Sequence, residues 1–231
     1  MADMHAGPSY LRVAWLVFRK DFTEELRRRE SLFSAVFVAL LSVVLFRFAL
    51  DETLVRFDQT GGGLLWLVAL FAGSLFMGNV FRKETESGTL DALLLCPVDR
   101  SAVFLGKVFV NMVFLVILGL FLWALAFLFL DLRPQGGFGA VLGVWALVSV
   151  GYAVLGTLFA ALVTPLRGGA MIYPVLLFPV LTPLFMGAVR LTDLAIRGEE
   201  LLKSPWLRLI GGFDILFFIV ALALFEPAVE D

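Results

Sequence analysis

Val108–Leu130, VFVNMVFLVILGLFLWALAFLFL, runs for 23 residues without one Asp, Glu, Lys or Arg. About 20 mainly apolar residues in a helix cross roughly 30 Å of hydrocarbon, so this stretch reads as a membrane span. Working outward, five more runs qualify: Leu32–Leu50, Gly63–Val80, Phe138–Val163, Ala170–Val189 and Trp206–Phe225. None shows the polar/apolar alternation of a lumen-lined barrel, and helices satisfy their own backbone in lipid, so the class is all-α integral membrane. The composition agrees, with 61% hydrophobic and 16% charged residues in 231. The spans use more than half of the chain and leave no connection long enough for a separate folded unit, so residues 1–231 are treated as one transmembrane domain.

Charge orients the spans. Arg12, Arg19, Lys20, Arg27, Arg28 and Arg29 precede the first span, and Arg82, Lys83, Arg100 and Lys107 lie between the second and third, whereas the neighbouring connections hold only Arg56 and Arg133. The positive-inside rule then puts both termini on the cytoplasmic side. Arg190, Arg197, Lys203 and Arg208 disagree, since six spans place them outside; the accompanying Asp193, Glu199 and Glu200 point to a partly folded outer cap. No cleavable signal peptide is expected, because some thirty mixed residues precede the first apolar run. Cys96 is the sole cysteine, which excludes an intrachain disulfide and leaves a reduced thiol in an inner loop.

Two extramembrane segments carry helical patterns. Leu11, Trp15, Phe18, Phe22 and Leu26 recur every three or four residues, which predicts an amphipathic helix over 10–30 lying in the inner interface with basic side chains toward anionic headgroups. Between spans two and three, Phe81–Lys107 reads FRKETESGTLDALLLCPVDRSAVFLGK. Gly88 breaks the chain, Thr89 suits an N-cap, and Leu90, Leu93 and Leu94 share a helical face before Pro97 ends it. Both a short helix presented to a soluble partner and an ordinary solvated loop are compatible with this spacing.

Inside the spans, Pro174, Pro179 and Pro183 each remove a backbone donor, so the fifth span is expected to be bent or broken, either as a moving or pathway-lining element or as a packing kink. Gly139 and Gly143 have GxxxG spacing, followed by Gly151 and Gly156, which predicts close helix packing. Arg47 is near enough to a span end to snorkel. Asp214 lies about two turns into the last span behind Gly211 and Gly212, where a carboxylate should face protein or water; an ion pair with Arg208 is the competing reading.

Several chemistries are excluded as expectations. The one histidine is His5, so neither a zinc site nor bis-histidine haem ligation can be assembled from this chain alone, and no Ser/His or Cys/His pair is available for covalent catalysis. GxxxxGK[ST] is absent, so any ATP would be bound and hydrolysed by a partner rather than by this chain. No nucleic-acid partner is expected.

Phe18–Glu30 (FRKDFTEELRRRE), Phe81–Pro97 with Gly106-Lys107, and Leu166-Arg-Gly-Gly-Ala170 followed by Pro179-Val-Leu-Thr-Pro183 and Gly187-Ala188 resemble the CcmB family. These are membrane subunits of the haem exporter in bacterial cytochrome c maturation, similar to ABC-2-type permeases. The resemblance covers nearly the whole chain in order and spacing, and its most specific part is acidic-x-Gly-Thr-Leu-acidic-x-Leu-Leu-Leu-x-Pro, Glu86 to Pro97. Cys96 departs from it, standing where a small residue such as Ser is more usual, as does the acidic tail Glu226–Asp231.

The resemblance implies six spans in each of two copies of the chain, set in the bacterial inner membrane. It implies a separate CcmA-type ATPase that grips Glu84, Glu86, Gly88, Thr89, Leu90, Asp91, Leu93, Leu94 and Pro97 as a coupling helix. CcmC- and CcmD-type membrane subunits and a CcmE-type haem chaperone would complete the assembly, which handles the haem. A non-transporting scaffold for cytochrome maturation, and an ABC-2 permease for another lipid or drug, stay open beside the haem-export reading.

Overall fold

The computed structural model describes residues 9–50, 57–78, 80–81, 99–166 and 168–228, and every regular element among them is a helix. In chain order these are α1 (Tyr10–Arg28), α2 (Glu30–Ala49), α3 (Phe57–Met77), α4 (Arg100–Phe129), α5 (Phe138–Val163), α6 (Gly169–Arg197) and α7 (Pro205–Ala228). All but α1 are long and apolar enough to cross a membrane. The chain is a multi-pass membrane protein.

One residue joins α1 to α2. Arg29 takes a left-handed backbone with φ +58°, donates its N–H to the Glu25 carbonyl at 2.8 Å and accepts from the Phe33 N–H at 2.8 Å. A left-handed non-glycine residue costs on the order of 1 kcal/mol, so the sharp bend between the two helices is set by the packing of both arms.

Two helix ends extend past the expected spans. α4 begins at Arg100 rather than near residue 108, because Asp99 caps it by accepting from the Ser101 N–H at 2.9 Å. Lys107 therefore sits inside a helix instead of a loop. α6 continues to Arg197, where Gly198 (φ +72°) closes it, and α7 starts at Pro205, so the connection expected to be an outer cap is the last turns of α6 plus a short bend. Gln135 and Gly136 donate their N–H groups to the Ile196 and Ala195 carbonyls at 2.8 and 3.3 Å, which ties the α4–α5 connection to that same end.

α5 is the most enclosed spanning helix and packs against α4, α6 and α7, while α2 and α7 leave most of their surface uncovered. Buried polar groups stitch the centre. Trp145 Nε1 donates to the Leu115 carbonyl at 2.9 Å, Asn111 Nδ2 to Thr157 Oγ1 at 2.8 Å, Trp66 Nε1 to Thr192 Oγ1 at 2.8 Å, and the Tyr152 hydroxyl to the Leu70 carbonyl at 2.7 Å. Trp66 and Trp145 stack with centroids 4.2 Å apart. In a medium without water such pairings remove the cost of burying each donor.

One packing expectation is corrected, and α6 and α1 add detail to two others. Gly139 and Gly143 face nothing among the described residues; the close approaches are at Gly151 and Gly156, where a Cβ would collide with the Asp214 carboxylate and with Met77, and at Gly119, whose missing side chain admits the Trp145 indole. Close packing needs a facing element, and the glycines at the start of α5 are exposed. α6 is bent at most, not broken: it is one continuous helix with Pro174, Pro179 and Pro183 inside it. Finally, α1 turns Val13, Ala14 and Val17 toward Ala102, Val103 and Gly106 of α4, with Phe18 and Phe22 partly buried beside them, whereas Leu11, Trp15 and Leu26 stay exposed. The seam lies beside the large apolar residues because Gly106 and Ala102 admit only a close, small-residue contact.

Candidate functional site: the anchorage of the polar segment

The nine residues from Glu84 to Pro97 named above as the coupling contact lie in 82–98, outside the described residues. What the structure places is how both ends of that segment are held.

At its start, Phe81 is 2% exposed, with its ring beneath the Lys107 ammonium (4.7 Å from Nζ to centroid) and 6.2 Å from the Phe225 ring of α7. Lys107 is itself 2% exposed. Its Nζ forms an ion pair with Asp21 of α1 at 3.0 Å and donates to the Val80 carbonyl at 3.3 Å. A buried ammonium is costly unless paired and hydrogen-bonded, and here one carboxylate, one carbonyl and one aromatic face meet that requirement. The node joins α1, α4, α7 and the start of the segment.

The other end is held against α1 as well. Asp99 Oδ1 accepts from the Ser101 hydroxyl at 2.6 Å, and Ser101 Oγ lies 3.0 Å from the Tyr10 hydroxyl. Tyr10 and Asp21 are eleven residues apart, about 16 Å along a helix, so the segment starts and ends on the same helix, roughly three turns apart. A force on 82–98 therefore reaches α1, and through the bend at Arg29 it reaches α2. Lys107 stands in the sequence as a loop charge and as part of the family resemblance, but its burial and its pairing with Asp21 were missed. Its partner is 86 positions away, and the only signal was a lysine seven residues past Arg100 just as the apolar run begins.

The remaining candidates do not assemble with this node. Asp214 faces protein as expected, its carboxylate lying in the space left by Gly151 on α5, and no donor reaches either oxygen. The alternative pairing with Arg208 is not formed, because six residues place the arginine on another side of α7, where it is exposed. Pro179 and Pro183 lie on the exposed side of α6 and Pro174 is half-buried, whereas Asp214 is buried. Among the described residues no group of acidic, Cys or His side chains is arranged to hold a metal.

Comparison with known proteins supplies the lineage. Residues 12–230 match the family described as CcmB protein. Proteins named Heme exporter protein B are similar: that of Bradyrhizobium diazoefficiens is 28% identical over 200 residues (82% of this chain, 85% of that one), and that of Rhodobacter capsulatus 32% over 148 residues (62% and 63%). That of Escherichia coli K12 is 27% identical over 94 residues, a match spanning 41% of this chain and 43% of the relative. With the family match running through all six spanning helices and the buried Lys107–Asp21 pair, this chain belongs to the CcmB family.

Proposed function

We propose that this chain is the permease subunit of a haem-export complex serving cytochrome c maturation, in which a separate ATPase acts on segment 82–98. The relatives' name, Heme exporter protein B, supports the haem pathway. The observation that carries the coupling role is the anchorage: both ends of the polar segment are fastened to α1, one through the buried Lys107–Asp21 pair. A loop serving only to connect two spans needs no buried charge at its root.

In this reading Leu90, Leu93 and Leu94 present an apolar stripe to the ATPase, with Glu84, Glu86 and Asp91 around it, and the nucleotide stays on that partner. The stripe is too short to hold an isolated helix, so the contact itself orders it. Motion then passes through Phe81 and Lys107 to α1 and the spans. This chain supplies no haem ligand of its own; CcmC-, CcmD- and CcmE-type partners handle the haem, and two copies of this chain form the membrane core.

The test is Leu94→Glu, which puts an unpaired charge into the contact. The substituted residue lies outside the spans, so membrane levels should stay normal while ATPase copurification and holo-cytochrome c production are lost. Normal ATPase binding together with normal cytochrome maturation would refute the coupling role.

A further inference from the structure

Two neighbouring cavities of opposite character lie along α6, the first against α3 and the second against the start of α7. One is an apolar groove of about 240 Å³ whose walls include Trp66, Leu67, Phe178, Phe185 and Met186, with Leu67 and Met186 exposed along it. The other, of about 300 Å³, is lined by Arg190, Asp193, Leu194, Arg197 and Trp206. Their linings come next to each other on α6, where Val189 belongs to the first and Arg190 to the second. Gly63 faces Val189 at the end of the groove, and Gly62 faces Asp193 in the second cavity.

The charge in the second cavity is unbalanced. Asp193 lies between Arg190 and Arg197 on the helix and attracts both, but among the described residues neither arginine has a carboxylate within 4.0 Å. Two guanidiniums and one carboxylate leave a net positive site. The depth fits a headgroup: residues 171–189 of α6 are uncharged, and nineteen residues rise roughly 28 Å, close to the hydrocarbon thickness, so Arg190 follows at its edge. Trp206 stands at the same level, where indoles favour the interface.

We propose that this composite cavity is a binding site for one anionic phospholipid, its acyl chain in the α3–α6 groove and its phosphate held by Arg190 and Arg197. A groove open along the hydrocarbon is filled by acyl chains, and paired guanidiniums select a phosphate that carries uncompensated negative charge over a zwitterionic one. The site also accounts for the arginines that break the positive-inside pattern: their charge is neutralised by lipid. The inference is independent of what the complex transports.

Native mass spectrometry of the detergent-purified full chain, titrated with phosphatidylglycerol or phosphatidylcholine, tests it. One phosphatidylglycerol should be retained with about tenfold preference, and that preference should fall as salt is raised. Arg190→Gln with Arg197→Gln should abolish it, while Lys203→Gln with Arg208→Gln, outside the cavity, should leave it intact. Met186→Trp, which fills the groove and keeps both arginines, should weaken retention of either lipid and gives a second route if the arginine variant folds poorly. No preference in the unmodified chain, or a preference unchanged by the arginine pair, would overturn the proposal.

Discussion

A lysine and an aspartate illustrate how burial alone misleads about role. Asp214 and Lys107 are both buried, yet Lys107 is matched by Asp21, Val80 and Phe81 while Asp214 has only a space shaped by Gly151. The two should respond differently to substitution. Breaking a buried pair by removing one member strands the other, at a cost of about 3 kcal/mol, whereas replacing both by neutral groups of similar size is nearly without cost. We expect Lys107→Met to lower the stability of the detergent-purified chain by about that amount, and Asp21→Asn combined with Lys107→Met to recover most of it. Thermal unfolding of the two single variants and the double variant closes the cycle. Purely additive losses would show that the ion pair does not hold the node.

Among the elements, α6 is where sequence and structure pull hardest against each other. Three prolines remove three backbone donors from a 29-residue helix that nonetheless runs without interruption from Gly169 to Arg197. Neighbours explain this only in part: Leu177, Leu181 and Leu184 are buried and hold one face, while Pro179 and Pro183 are exposed among the described residues. Restoring a donor on that exposed face should stabilise the helix, since a proline in a helix interior costs up to about 3 kcal/mol relative to alanine. Pro179→Ala is therefore expected to raise the unfolding temperature. If the weakened ladder serves movement, the same variant should lower holo-cytochrome c yield at unchanged membrane levels. A stabilised variant with full yield would reduce the prolines to packing features. Why α6 was legible as a span and not as an unbroken helix is also clear. Proline's local penalty is visible in sequence, but the packing of the buried leucine face that outweighs it is not.

At the scale of the whole molecule, the six spans were readable because bilayer thickness converts directly into a length of apolar sequence, and Val108–Leu130 has no other plausible use. What escaped was whatever depended on contacts between distant residues. The seam of α1 follows small side chains on α4, the pair at Lys107 spans 86 positions, and the glycines that matter on α5 are those with a facing helix, which GxxxG spacing at Gly139 and Gly143 could not reveal. The shared ends of the helices now sharpen the topology. α1, the start of α4 and both anchorage points of the polar segment lie together, and the α4–α5 connection meets the end of α6. Six spans put these two groups on opposite sides of the membrane. The first group carries the cluster from Arg12 to Arg29 with Arg100, so the basic bias predicts a cytoplasmic location for it even though Lys107, neutralised by Asp21, no longer counts toward it. After Cys96 is replaced by serine, a single cysteine at position 93 should react with a membrane-impermeant maleimide only when the cytoplasmic face is open, and one at Gln135 only from outside. Labelling of position 93 from outside would invert the chain and remove the polar segment from the reach of any cytoplasmic ATPase.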